Sequence, residues 1–172
     1  MVARLVQCCT DGANLATQLD AMHADQQLLC ERLEVLADAL PDAPHQGCLH
    51  VARTIGPLLH RAQALEEEAL FPYVSTRWKV IDGVDDWIER LKCEHIEDTC
   101  YAEELSEALL AYGRGDAFPT PDALGYMLRG FISGLRRHLA FEQDVLVPLL
   151  REQRPEPLVS RKAVPGASGR GC

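Results

Sequence analysis

The sequence predicts an all-α protein, an up-down-up-down four-helix bundle, and three observations carry that expectation. Apolar residues recur at alternating steps of four and three in four separate segments, which is the spacing of one buried helix face. No segment shows the period of two that marks a half-buried strand. Three connections marked by Pro and Gly separate the segments, and a chain of 172 residues is the right size for one such domain.

The first segment runs from Leu15 through Leu19, Met22, Gln26, Leu29, Leu33 and Leu36 to Leu40, where Pro41 and Pro44 end it. The second carries Val51, Ile55, Leu58, Ala62, Leu65 and Ala69 and closes at Phe71-Pro72, with a kink expected at Gly56-Pro57. A loop ending in Asp82-Gly83 leads to the third, in which Val84, Ile88, Leu91, His95, Asp98, Ala102, Leu105 and Leu109 hold the inner face and Gly113 and Gly115 stop the helix. Thr120-Pro121-Asp122 then supplies an N-cap, a first-turn proline and an acid facing the helix dipole. The fourth helix presents Leu124, Phe131, Leu135, His138, Glu142, Val145/Leu146 and Leu149, and Gly130 and Gly134 leave room for a close neighbour. Beyond Arg151, Pro and Gly replace the apolar row. The domain plan is an arm over 1–14, the bundle over 15–151 and a flexible basic tail over 152–172.

Composition narrows the functional classes. The first 150 residues hold 12 basic against 24 acidic side chains, a surface that repels phosphate backbones and argues against nucleic acid as a partner. No window nears the roughly 18 apolar residues of a membrane span, and MVARLVQCCTDG lacks a secretory apolar stretch, so the expectation is a cytoplasmic protein with no membrane partner. Seven cysteines without a C-x-x-C spacing read as reduced thiols. No nucleophile elbow, phosphate loop or triad order is present, so the chain does not read as an enzyme.

The informative residues are the ionisable ones on the apolar faces, because a buried charge must pair, neutralise or bind metal. At about 100° per residue, Glu142 lies one turn from His138 in the middle of its face. His95 sits between Leu91 and Ala102 with Asp98 beside it, and His23 flanks Met22 at the edge of its row. Of Glu66-Glu67-Glu68 only Glu66 joins the row of Ala62; Glu67 and Glu68 turn to solvent, and His45, His50 and His60 fall off the row. Taken singly, each is an ordinary core or boundary residue. Together, all four helices place a His or carboxylate inward, which is how bundles build two-metal carboxylate sites, and iron suits this mixed nitrogen and oxygen set.

The ferritin-like Glu-x-x-His is absent. Instead the chain has His138-Leu-Ala-Phe-Glu142 before Val-Leu-Val-Pro148, and Glu66-Glu-Glu-Ala-Leu-Phe-Pro72, with His23 upstream and His95 between. Over residues 15 to 150 this resembles the hemerythrin-like (HHE) family, whose bacterial members carry a His, a His-x-x-x-Glu ending in Leu-Phe-Pro, another His and a second His-x-x-x-Glu. The resemblance implies a non-haem di-iron centre in a four-helix bundle, with oxygen or nitric oxide as the small ligand. It departs at one place. Aligning Glu66 with Glu142 puts Ala62 where His138 stands, and taking Glu67 as the family glutamate puts Gln63 there. His60, on the stripe of Glu67, is the nearest substitute if the helix rotates near Pro57. The candidate ligands are therefore His23, His60, Glu66, Glu67, His95, His138 and Glu142. The alternative is a metal-poor helical regulatory module that kept the fold and lost part of the site; iron delivery or nitrosative-stress repair is a third reading.

Overall fold

The computed structural model describes residues 12–152, so the expected tail beyond Glu152 and most of the N-terminal arm lie outside the described residues. It is all helical there, with no strand among the described residues. Helix α1 spans Gly12–Ala39, beginning two residues before the expected end of the arm, and α2 spans His45–Leu65. A π-helical turn, Glu66–Leu70, joins α2 to α3 (Phe71–Arg77). After a short loop come α4 (Val84–Arg114) and α5 (Pro121–Phe141), and a second π-helical turn, Glu142–Leu146, leads to α6 (Val147–Arg151). Each turn with its flanking helices makes one rod, so four rods form the bundle, with α1 and α4 each packed against α2 and α5. No helix among the described residues is long and apolar enough to cross a membrane.

Local chemistry sets the helix ends. The Ala123 amide donates to Thr120 Oγ1 at 3.3 Å, the expected N-cap of α5. At the end of α4, Gly115 adopts φ 83°, its amide donates to Tyr112 O and the next amide to Ala111 O, a Schellman closure. Gly113 does not stop the helix as expected. It lies inside α4, where an added Cβ would stand 2.7 Å from Leu49 Cγ, so its role is close packing of α2. Gly130 plays the same part for the Tyr101 ring.

The apolar interior is divided in two. One cluster gathers Leu33, Ile55, Leu105, Leu128, Phe131 and their neighbours; the other gathers Leu15, Leu70, Val74, Leu91 and Leu150 with theirs. Between them the buried residues are polar: His23, Gln26, Glu66, His95, His138 and Glu142. Such a layer costs stability unless its groups satisfy one another or a ligand.

Candidate metal centre

Both π turns start at the glutamate that enters this layer. The Phe71 amide reaches back five residues to Glu66 O, and the Val147 amide to Glu142 O. Pro72 and Pro148 follow at once, each without an amide and each crowding the preceding turn, so the one-residue widening falls where the regular ladder is already interrupted. Glu66 and Glu142 are 1% and 0% exposed.

The layer is built from two crossed pairs. His95 Nε2 lies 2.7 Å from Glu66 Oε2, and His23 Nε2 lies 2.8 Å from Glu142 Oε2. His138 Nε2 stands between the carboxylates, 3.7 Å from Glu66 Oε2 and 3.7 Å from Glu142 Oε2. One donor atom from each of Glu66, His95 and His138 falls within a 4.8 Å cluster. The outer nitrogens of two imidazoles are also held: His95 Nδ1 is 2.7 Å from Glu67 Oε1, and His138 Nδ1 is 3.1 Å from Glu94 Oε2. Carboxylates at Nδ1 fix the tautomer and leave Nε2 facing inward, the arrangement that orients metal-binding histidines. Phe71 stacks on the His95 ring at 5.6 Å.

Burial opposes charge throughout the layer, and the pairing decides the balance. Burial pushes the Glu66 carboxyl up, but the His138 and His95 imidazoles outweigh it and bring it down to about 2. Burial pushes His138 down, and Glu66, then Glu142, outweigh it and raise it to about 9. His95 is likewise raised by Glu66 and Glu67 against burial. Glu142 moves the other way: burial and the Glu66 charge raise it despite His23 and His138.

A cation fits what remains unsatisfied. The contact between Glu66 Oε2 and His95 Nε2 is short yet lacks hydrogen-bond alignment, and neither atom has a hydrogen-bond partner among the described residues. Glu66 Oε1, Glu142 Oε1, His23 Nδ1 and Gln26 Oε1 are also buried and unpartnered. So many orphaned polar atoms in one buried layer are expensive unless something electropositive sits among them.

Of the sequence candidates, the structure brings together His23, Glu66, His95, His138 and Glu142. His23 lies fully on the inner row rather than at its edge. Glu67 reaches only the outer nitrogen of His95, with its side chain 47% exposed. His60 is not brought in: α2 runs through Pro57 as one helix, nothing rotates it, and His60 lies exposed on an open groove between α2 and α4. Ala62 faces the interior at 1% exposure, and Gln63 donates instead to His95 O at 3.2 Å. Sequence reasoning missed Glu94, whose target lies on another rod, and passed over Gln26 as a member of the apolar row. We expect Glu94→Gln to weaken cation binding roughly 10- to 100-fold with helicity unchanged. Chelator competition checks it; a change below about twofold would remove Glu94 from the site.

The arrangement also repeats. Ala62, Glu66, Leu70 and Val74 recur as His138, Glu142, Leu146 and Leu150, a constant step of 76 residues. Ala16, Leu19, His23 and Leu33 recur as Ile88, Leu91, His95 and Leu105, a step of 72. The crossed pairs are thus the same contact made twice, each between one half of the chain and the other.

Comparison with known proteins agrees with this site: a family model described as the hemerythrin HHE cation-binding domain matches residues 14–150. No curated protein and no solved structure matches the chain.

Proposed function

Because the chain belongs to the hemerythrin HHE cation-binding domain family, we propose that its buried layer holds non-haem iron as a pair of ions and that the protein binds or senses oxygen or nitric oxide there. The observation that carries the reading is the misaligned 2.7 Å approach of Glu66 Oε2 and His95 Nε2, two buried atoms that face each other without a hydrogen bond. Bound iron supplies reversible coordination of a diatomic molecule, which none of these side chains offers alone. The chain's own work is positioning. Glu67 and Glu94 aim the imidazoles, Glu66 and Glu142 place a carboxylate on either side of His138, and the two apolar clusters keep the layer dry. The reading is of a binding protein in the cytoplasm rather than an enzyme, with no nucleic-acid or membrane partner.

Ala62 favours a second reading, a regulatory module that kept the bundle and holds little metal. Metal analysis and the visible spectrum of protein from iron-supplemented cells separate the two. We expect about two irons per chain, with the absorption of an iron pair near the ultraviolet edge. No iron after anaerobic reconstitution would establish the metal-poor module instead.

A further inference from the structure

Gln26 is 2% exposed, and its amide oxygen has no hydrogen-bond partner. It sits on α1 one turn beyond His23, in the polar layer. The Asp25–Arg61 ion pair, 2.6 Å long, ties α1 to α2 on the outside next to Gln26 and Ala62, the following residue of each helix. The internal repeat gives the same placement independently. Gln26 corresponds to Asp98 and Ala62 to His138, and Asp98 lies beside α5 one turn before His138, its Oδ1 3.8 Å from where a Cβ on Gly134 would be. Where one half of the chain has an imidazole and a half-buried acid, the other has a methyl group and a fully buried amide.

We propose that Gln26 Oε1 is a metal ligand that takes the coordination place left without an imidazole at Ala62. The inference rests on the metal-binding reading above and makes the two metal positions unlike. One draws on His95, His138 and the carboxylates; the other draws on His23, the carboxylates and a neutral amide oxygen. An amide oxygen is a hard donor and adds no third negative charge to a layer that already buries two carboxylates. It binds more weakly than imidazole, so this second position fills last and empties first.

The test is titration of metal-stripped full-length protein with ferrous iron under anaerobic conditions, with affinities read by chelator competition and helicity by circular dichroism. Wild type should take up iron in a tight and a weaker step. Gln26→Leu should weaken the second step at least tenfold and leave the first within about twofold. Gln26→Glu, which keeps an oxygen donor and adds charge, should tighten the second step; this decides the matter if Gln26→Leu does not fold. Adding Ala62→His to Gln26→Leu should restore the lost step. An unchanged titration for Gln26→Leu, or for Gln26→Glu where only that variant folds, overturns the assignment of Gln26 while leaving the metal site in place. No uptake by wild type overturns the metal-binding reading itself, and the Gln26 assignment with it.

Discussion

Replacing either His95 or His138 with alanine should cut bound iron to half of the wild-type content or less. Each removes an inward Nε2 whose direction is fixed from behind by a carboxylate, Glu67 or Glu94. The loss has a second component. Glu66 is held as a carboxylate at 1% exposure by these two imidazoles, and breaking a buried pair by deleting one partner destabilises by about 3–5 kcal/mol. Iron analysis should therefore be made well below the unfolding midpoint, with helicity confirmed. His60→Ala is the matched control, since His60 lies exposed away from the layer and its loss should leave iron content unchanged. Unchanged iron in both His95→Ala and His138→Ala would sink the site as described.

Phe131→Ala should destabilise the protein by about 3–5 kcal/mol, the usual cost of removing a buried ring from a core that cannot collapse around the gap. Phe131 is 1% exposed in the larger apolar cluster and meets the Tyr101 ring edge-on at 5.8 Å. Tyr101 is in turn fixed by donating to Met127 O, and it lies against Gly130. The surroundings are pinned and will relax little. Phe131 is two turns from His138, so iron per folded chain should not change. Urea unfolding measures the effect; a loss under about 1 kcal/mol would mean that this cluster does not pack as described.

The bundle was legible because its leucine rows are periodic, and the site was legible because ionisable residues interrupt those rows. Where periodicity failed, it failed at definite residues. In the second segment the expected Leu58 and Leu65 are half-buried while Leu59 and Glu66 are buried, and past Glu66 and Glu142 both rows slip by one: the expected Ala69 and Leu149 are half-buried, while Leu70 and Leu150 are buried. A wheel of fixed pitch cannot register a π turn. Nor can it see contacts between rods, which is why Glu94 escaped notice although it holds His138. Gln26 was read as a row member for its spacing; that a buried amide needs a partner was the available signal. Tyr112, which lies outside the third segment's row, is buried and donates to Pro41 O, a contact that spacing within one helix does not show.

The two π turns have a consequence for how the chain can change length. Each amounts to one inserted residue, taken up within five, so the helix leaves the turn in phase with the second apolar cluster after entering it in phase with the first. Deleting an exposed residue there, such as Glu68 or Asp144, would make the helix regular without rotating either cluster against its neighbours. The insertion is thus a joint between two registers, and the glutamates that enter the buried polar layer are mounted on it. Their reach can therefore change with the loss of one residue while both cores keep their registers.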